Sequence, residues 1–352
     1  MRMKKERALV AMSGGVDSAV AAELTIRSGA EATGLTMTLW KEGEGEDENV
    51  RDAAAVCLRL GIPHRAVDLR EDFCRFVVEP FISDYAEGRT PNPCVECNRR
   101  LKFGALCDLA EAEGFDRLVT GHYARIEEDG EGGFSLKKAR DAAKDQSYFL
   151  WGIRREWLSR LSFPLGDYTK PEIRAMAAER GLPSASRSDS QDICFVPDGD
   201  YVSFIENHTH RSFPKGNFVD TEGKILGVHQ GIIHYTVGQR KGLGIALGAP
   251  AFVKEKNPLT NTVTLSSDAE LYQSELWADH VNLLLDAERL PSRVEAKIRY
   301  RHAPAPATVT LEADGRLHVV FDAPQRAIAI GQSLVLYDGD TLLAGGVITK
   351  VR

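Results

Sequence analysis

The sequence has few cysteines and no long hydrophobic run. Six cysteines in 352 residues are too few to indicate a disulfide scaffold, and no apolar stretch approaches the roughly 20 residues that a membrane helix needs. The opening MRMKKERALVAMSGG leads into a glycine turn without the apolar segment or cleavage site of a signal peptide. These absences predict a cytoplasmic protein with reduced thiols and no membrane partner.

The chain also lacks an excess of positive charge. Its formal net charge of −7 argues against coating nucleic acid regardless of sequence, because such binding requires many neutralised phosphates. Basic residues are grouped locally at 98–102, 136–144 and 297–302, and each group alone is typical of a solvated face. The acidic stretch 42–49 is interpreted as a loop. Together, the basic groups suit a structured nucleic-acid partner better than an arbitrary one.

Strand and helix patterns alternate through the first half of the chain. A short apolar strand at 7–12 is followed by a helix, and later segments repeat the alternation, with helices at about 71–87 and 98–114 and a fourth strand at 116–126. This order predicts a parallel sheet with helices on both faces. Ligands in such sheets bind at the carboxyl ends of the strands.

The pattern changes after about residue 206, where glycine, proline and short alternating runs become frequent. Two Asp-Gly pairs, at 314–315 and 338–339, lie between alternating runs as hairpin turns do. We therefore predict an α/β domain at 1–206, a small β-rich connector at 207–274 and a C-terminal β-barrel or sandwich at 275–352.

The hexapeptide SGGVDS, residues 13–18, lies between the first strand and its helix. Backbone N–H groups and the helix dipole converge on an anion there, Gly14 and Gly15 permit close approach, and the two serine hydroxyls can donate to phosphate oxygens. Asp17 repels a bare phosphate, so we expect it to act through Mg²⁺ or by ordering the loop. A plain glycine turn is the alternative. The complete motif resembles the PP-loop of ATP pyrophosphatases, which attach AMP to a substrate oxygen and expel pyrophosphate.

Three of the cysteines are candidates for chemistry: Cys94 and Cys97 in TPNPCVECN, and Cys194 in SQDICFV. The other three are predicted to be inert: Cys57, Cys74 and Cys107. A zinc site is disfavoured because no second pair of ligands has suitable spacing. A redox dithiol is disfavoured because the two prolines predict a rigid loop rather than a helix start.

The interpretation that fits the residues best is a nucleophile in a proline-stiffened loop. The neighbouring cations Arg99, Arg100 and Lys102 are expected to favour the thiolate form of this cysteine.

Nine motifs, in order, closely resemble those of the tRNA-specific 2-thiouridylases, over nearly the whole length. They are AMSGGVDS, TPNPCVECN, LKFG, VTGHYAR, KDQSYFL, SQDICFV, YTVGQRKGLGI, IRYR and PQRAIAIGQSLVLYDGD. The resemblance implies a PP-loop ATPase domain, a β-rich domain and a C-terminal barrel. It also implies ATP-dependent replacement of the C2 oxygen of the wobble uridine, tRNA position 34, by sulfur.

The resemblance also assigns roles by motif. Cys97 matches the catalytic nucleophile, Cys194 the persulfide carrier and Asp17 a catalytic loop residue, and a Cys97–Cys194 disulfide would close the cycle. The positions matching ATP contacts are Ala11, Met12, Ser13, Gly14, Gly15, Val16, Asp17, Ser18, Met37 and Gly121. The positions matching tRNA contacts are Asn92, Pro93, Cys94, His122, Lys144, Asp145, Gln146, Arg299, Tyr300 and Gln332. Further implied are Mg²⁺, tRNAs for Lys, Glu and Gln, and a cysteine desulfurase or sulfur-relay protein as sulfur donor.

One position departs from the family pattern, because many members carry Asp where this chain has Cys94. Related tRNA thiolases with three cysteines hold a [4Fe-4S] cluster, so Cys94, Cys97 and Cys194 are an alternative ligand set that would deliver sulfide. Two more distant alternatives are another PP-loop ligase, which leaves these cysteines idle, and a non-catalytic tRNA-binding adaptor, which consumes no ATP.

Overall fold

The computed structural model describes residues 5–40, 47–130, 132–183, 193–196 and 199–352. Most of the predicted acidic loop at 42–49 lies outside the described residues, as does part of the SQDICFV motif.

The described strands, in chain order, are β1 Arg7–Ala11, β2 Glu31–Thr38, β3 His64–Asp68, β4 Arg117–Val119, β5 Arg125–Glu128, β6 Phe134–Lys137, β7 Leu161–Ser162, β8 Gly216–Val219, β9 Ile225–His229, β10 Phe252–Asn257, β11 Thr262–Ser266, β12 Tyr272–Leu283, β13 Arg293–Lys297, β14 Ala305–Leu311, β15 Leu317–Arg326, β16 Ser333–Asp338 and β17 Thr341–Val351. The α-helices are α1 Val16–Arg27, α2 Glu48–Leu60, α3 Arg70–Phe73, α4 Glu79–Ala86, α5 Pro93–Cys97, α6 Leu106–Ala112, α7 Lys170–Glu179 and α8 Tyr201–Thr209. Wider π-helical turns cover Cys74–Val78 and Asn98–Ala105, and 3₁₀ turns cover Ser147–Phe149, Arg155–Arg160, Ile232–His234, Asp268–Leu271 and Ala287–Arg289.

The first domain contains a five-stranded parallel sheet in the order β3-β2-β1-β4-β7. Successive residues of β1 point to opposite faces: Leu9 packs into one apolar core, whereas Ala8 and Val10 pack into another. Both faces are therefore covered, and the predicted α/β fold with a parallel sheet is confirmed.

The predicted strand at 116–126 is wrong as a single element. β4 ends at Val119, and a loop at 120–124 separates it from β5. The β5–β6 hairpin leaves the parallel sheet and joins the C-terminal sheet through the pairing of Lys137 with Thr341. Sequence periodicity does not detect the break, because the residues on both sides suit a strand.

The proline-stiffened loop that we predicted around the cysteine pair is also wrong. Pro93 is the first residue of α5, and the helix continues through the π-helical turns into α6. Proline is favoured at a first helical position, because its missing N–H has no partner there in any helix. Cys94 and Cys97 are thus one helical turn apart at a helix start, which removes the objection to a paired dithiol.

The rest of the chain is β-rich, as predicted. A four-stranded sheet in the order β10-β11-β8-β9 forms the middle unit. The last six strands close into a barrel, β12-β15-β14-β13-β16-β17, through pairing of β17 with β12. The hairpins at both Asp-Gly pairs are confirmed by the antiparallel registers β14–β15 and β16–β17. In the described ranges, no helix has both the length and the apolarity to cross a membrane.

The barrel packs directly on the first domain. Asn282 donates hydrogen bonds to the carbonyls of Trp151 and Ile153, at 2.6 and 2.8 Å. Trp151 is fully buried against Gly345, where a Cβ would overlap the indole. The hydroxyl of Tyr148 also donates to the carbonyl of Ser333 at 2.9 Å. This buried, hydrogen-bonded junction fixes the barrel relative to the parallel sheet.

Candidate active site

The residues expected to bind ATP meet at the carboxyl ends of three adjacent strands. Ala11 ends β1, Met37 lies near the end of β2, and Gly121 follows β4 in the next position of the sheet. The loop 13–18 lies at the same edge, between β1 and α1. This is the edge at which parallel α/β sheets bind ligands.

The two serines hold the phosphate loop in shape. The Ser18 hydroxyl accepts from the Ser13 N–H at 3.2 Å and donates to the Gly15 carbonyl at 3.0 Å. Gly14 has a φ of +74°, and a Cβ there would lie 2.8 Å from the Cβ of Asp52. Glycine at this position therefore satisfies both the left-handed backbone and the close approach of α2.

Asp17 is held by two residues that sequence analysis did not identify. The Lys170 ammonium, at the start of α7, donates to both carboxylate oxygens at 2.8 and 2.9 Å. The Tyr123 hydroxyl donates to the same carboxylate at 2.8 Å. Lys170 is 153 residues away in sequence and only 7% exposed. The motif TKPE carried no signal beyond a helix cap, so only the fold reveals this ion pair.

The Asp17 arrangement supports one of the two roles expected for this residue, the ordering of the loop. Both of its carboxylate oxygens accept from Lys170, which links the start of α1 to the start of α7. The ion pair also cancels a negative charge where phosphates would bind.

Gly121 and His122 connect the phosphate loop to the cysteine helix. A Cβ on Gly121 would lie 2.8 Å from the carbonyl carbon of Asp17, so only glycine permits this contact. The His122 ring packs against Phe103, with ring centroids 5.5 Å apart, and its Nδ1 is 2.7 Å from the hydroxyl of Thr120. Burial, together with the charge of Lys102, holds the pKa of His122 well below its usual value, so its imidazole is neutral at pH 7.

The fold brings Cys94, Cys97 and Cys194 together. Cys194 is followed by Phe195 and Val196, which are buried in a core that also contains Cys97. The charge of each of the other two cysteines acts on Cys194, which places the three thiols close to one another. Cys94 and Cys194 are exposed, whereas Cys97 is buried, with 7% of its surface exposed.

All three thiols are protonated at neutral pH. Desolvation by the surrounding protein raises the pKa of Cys94 and of Cys97, and burial with the two neighbouring sulfurs raises that of Cys194 to about 11. Lys102 does lower the pKa of all three thiols, as expected of a nearby cation, but desolvation outweighs its charge.

The three cysteines are not arranged around a metal position in the described part of the chain. All six cysteines are free thiols. Although three thiolates are chemically suitable ligands, no group of three or more Cys, His, Asp or Glu side chains in the described parts of the chain is arranged to hold a metal ion. The [4Fe-4S] alternative thus has no support in the geometry.

The barrel holds the segment that precedes the cysteine helix. The side-chain amide of Gln332 donates to the carbonyls of Thr90 and Pro91, at 2.9 and 3.3 Å. The Thr90 N–H donates to the Ile330 carbonyl at 3.0 Å. A Cβ on the intervening Gly331 would be 3.0 Å from the Thr90 nitrogen. Gln332, expected to contact tRNA, therefore also positions the backbone leading to Cys94.

Replacing Gln332 by alanine is expected to slow single-turnover chemistry about thirtyfold, because two hydrogen bonds worth about 1 kcal/mol each no longer fix the segment before α5. The measurement is the single-turnover rate at saturating tRNA. Gln325→Ala is the matched control, since Gln325 lies on the same barrel and bonds only a local carbonyl. Weaker tRNA binding with an unchanged rate would contradict this role for Gln332.

Other positions expected to touch tRNA are engaged in local structure. Asp145 is 8% exposed and accepts from the N–H of Ala139, and Gln146 accepts from the Tyr123 N–H at 2.9 Å. Arg299 donates to the carbonyl of Val237 at 3.1 Å. These side chains shape the loops around the site.

The remaining three positions are half-buried at the surface: Asn92, Lys144 and Tyr300. Asn92 precedes Pro93 at the start of α5 and thus lies beside the cysteines. Tyr300 packs on Phe149, with ring centroids 4.5 Å apart.

Three family models match the chain in succession. They are the tRNA methyl transferase HUP domain over residues 6–198, the tRNA methyl transferase PRC-barrel domain over residues 202–267 and the aminomethyltransferase beta-barrel domain over residues 273–348. The parallel sheet, the phosphate loop and these matches define a PP-loop domain of the HUP class followed by two β-rich units.

Curated relatives are similar over their full length. The tRNA-specific 2-thiouridylase MnmA of Acetivibrio thermocellus is 45% identical over 358 residues, covering 98% of this chain and 100% of that protein. The protein of the same name from Acidithiobacillus ferrooxidans is 47% identical over 349 residues, covering 98% and 99%. The chain belongs to the tRNA-specific 2-thiouridylase family, which confirms the resemblance seen in its motifs.

A solved 4-thiouridine synthetase–RNA complex with bound ATP is 24% identical, with a TM-score of 0.38, and the match covers 57% of this chain and 50% of that one.

Proposed function

We propose that this protein converts a tRNA uridine, at wobble position 34, to 2-thiouridine by adenylating its C2 oxygen and transferring sulfur from a persulfide on Cys194. The observation that carries the proposal is that Cys97 and Cys194 lie close together beside the loop 120–124. Gly121 of that loop packs against Asp17 of the phosphate loop. An amide ligase of the PP-loop class has no use for this pair, and a tRNA-binding adaptor has no use for the phosphate loop.

In the first step, the uridine O2 attacks the α-phosphorus of ATP. The bond to the β-phosphate oxygen breaks, pyrophosphate leaves, and the uridine N3 proton is released. The backbone N–H groups of the loop 13–18 bind the phosphates, while Lys170 keeps Asp17 neutralised beside them. Mg²⁺ enters with ATP as its counter-ion, with no ligand assigned to Asp17.

In the second step, the outer sulfur of the Cys194 persulfide bonds to C2, and AMP leaves with the former O2. The Cys97 thiolate then attacks the Cys194 sulfur and breaks the persulfide S–S bond, leaving the outer sulfur on C2, and N3 takes up a proton from water. The two protein sulfurs are oxidised to a disulfide as the transferred sulfur is reduced. An external dithiol reductant restores both thiols before the next turnover.

The target base must leave its stack before the persulfide sulfur can reach its C2 atom. A base in the anticodon loop can be extruded at low cost. We expect the extruded base to enter near Asn92, Cys94 and His122. The imidazole of His122 is neutral because burial lowers its pKa, so it adds no positive charge beside the base. We expect tRNAs for Lys, Glu and Gln as substrates, a cysteine desulfurase or relay protein as donor, and the cytoplasm as the site of the reaction.

The proposal is tested with tRNA transcripts that carry either U or C at position 34. With ATP, Mg²⁺ and a persulfide donor, we expect AMP release and 2-thiouridine only with U34, in about equal amounts. Nucleoside mass spectrometry and AMP quantification give the two readouts. Equal AMP release from both transcripts, or tRNA binding without any AMP, would contradict the proposal and favour a ligase or an adaptor, respectively.

A further inference from the structure

Three cations follow the cysteine pair, and the structure separates their roles. Glu96 forms ion pairs with both arginines, at 3.4 Å to Arg99 and 3.6 Å to Arg100. The Arg100 guanidinium also lies 5.5 Å from the centre of the Phe76 ring. Both arginines are therefore drawn to the side of the helix occupied by Glu96, whose single carboxylate they share.

Lys102 is placed differently by the helix geometry. It is half-buried, and no carboxylate within the described ranges lies within 4.0 Å of its ammonium. The segment Asn98–Ala105 has π-helical turns, and the Leu106 N–H bonds to the Leu101 carbonyl, five residues back. A hydrogen bond over five residues widens the turn, so Lys102 is rotated much less from the face of Cys97 than it would be in an α-helix.

An ordinary α-helix would not produce this placement. At about 100° per residue, five residues rotate a side chain by about 140° from the starting face, which would turn Lys102 away from Cys97. Wide turns of this kind cost regular hydrogen bonding and occur often at functional sites. The local geometry thus brings one uncompensated ammonium to the cysteine face.

The electrostatics agree with this placement. The positive charge of Lys102 lowers the pKa of Cys94, Cys97 and Cys194, in each case against the desolvation that raises it. In the described chain, the ionisable groups that act on these thiols are the thiols themselves and Lys102. The same ammonium also lowers the pKa of His122, so its charge acts on the imidazole as well as on the thiols.

We propose that Lys102 is a positioning residue for sulfur transfer, whose ammonium stabilises the anionic sulfur that Cys97 and the Cys194 persulfide must each carry when they attack. This role rests on the proposed function. The positive charge of Lys102 compensates the negative charge of the Cys97 thiolate. Arg99 and Arg100 do not serve in its place, because both pair with the carboxylate of Glu96. The Cys97 proton leaves to water, and Lys102 remains protonated throughout.

The test is the pH dependence of alkylation of Cys97 and Cys194 by iodoacetamide in the full-length protein, resolved by peptide mass spectrometry. Lys102→Met is expected to move the midpoint of both profiles upward by about one pH unit, so that alkylation near pH 8 falls about tenfold. Lys102→Arg should restore the wild-type midpoint. Arg100→Met is the matched control and should leave both profiles unchanged.

An unchanged midpoint in Lys102→Met would overturn the proposal, as would a loss of alkylation rate that is equal at every pH, since that pattern indicates a structural role. Circular dichroism checks that the methionine variant is folded. Lys102→Gln repeats the loss of charge with a polar side chain, in case the methionine variant is not. The alkylation experiment needs neither tRNA nor ATP. A wild-type protein that fails to thiolate tRNA but shows the Lys102 shift would therefore refute the proposed function alone.

Discussion

Replacing either Cys97 or Cys194 by alanine is expected to reduce 2-thiouridine formation by at least about a thousandfold, because the persulfide and its attacking thiol have no substitute in the site. Both variants should fold, since Cys194 is exposed and the loss of one sulfur from Cys97 removes little buried surface. The measurement is nucleoside mass spectrometry after reaction with tRNA, ATP and a persulfide donor.

The two variants should differ in what they retain. Cys97→Ala keeps Cys194, so it should accept sulfur and gain about 32 Da on that residue, whereas Cys194→Ala should not. Both keep the phosphate loop and should still release pyrophosphate once in a tRNA-dependent manner. Cys107→Ala is the matched control, because Cys107 is a buried thiol of the same domain whose pKa burial raises to about 12. Normal thiolation by either active-site variant would refute the assignment.

Cys94→Ala addresses the departure from the family pattern. Because the described geometry holds no three-cysteine metal site, we expect this variant to keep most of its thiolation activity and to change the apparent pKa of Cys194 downward, since one sulfur that raises it is removed. The readouts are the thiolation rate and the pH profile of Cys194 alkylation. Loss of iron and of all activity together would instead support a cluster.

Replacing Lys170 by methionine is the second change with a large expected effect. The substitution leaves the Asp17 carboxylate uncompensated beside the ATP phosphates, so AMP formation should fall by at least about a hundredfold. The free energy of unfolding should fall as well, because Lys170 is buried and its partner is left unpaired. The loss should be about 3 kcal/mol at most, since about a third of the Asp17 side chain is exposed to water. AMP release and urea unfolding measure the two effects.

A double variant separates charge from packing. Asp17→Asn in the Lys170→Met background removes the unpaired carboxylate, so the double variant should regain stability relative to the single one. Arg140→Met is the control, because its ion pair with Glu172 is exposed and should contribute little. Full ATP use by Lys170→Met would show that Asp17 does not need its ion pair.

The sequence predicted the parts of this molecule whose signals are local. The phosphate loop is contiguous and lies between a strand and a helix, and the Asp-Gly hairpins are read from adjacent residues, so both could be placed without the fold. The three candidate cysteines were selected because their surroundings differed from the apolar helical faces around Cys57 and Cys107.

What the sequence missed depends on contacts across the fold. Lys170 meets Asp17 only because α7 packs beside α1, and Gln332 meets Thr90 only because the barrel closes over the first domain. The thiol pKa values were misjudged because neighbouring cations are visible in a sequence, whereas desolvation and the pairing of Arg99 and Arg100 with Glu96 are not. The π-helical turns under Lys102 likewise have no sequence pattern of their own.

The most direct test of the account is the stoichiometry of one turnover. Protein loaded with one labelled sulfur on Cys194 is mixed with excess ATP and U34 tRNA, without donor or reductant. We predict about one labelled 2-thiouridine, one AMP, one pyrophosphate and one Cys97–Cys194 disulfide per active chain. Labelled 2-thiouridine formed while Cys97 and Cys194 remain reduced, or formed without AMP, would contradict it.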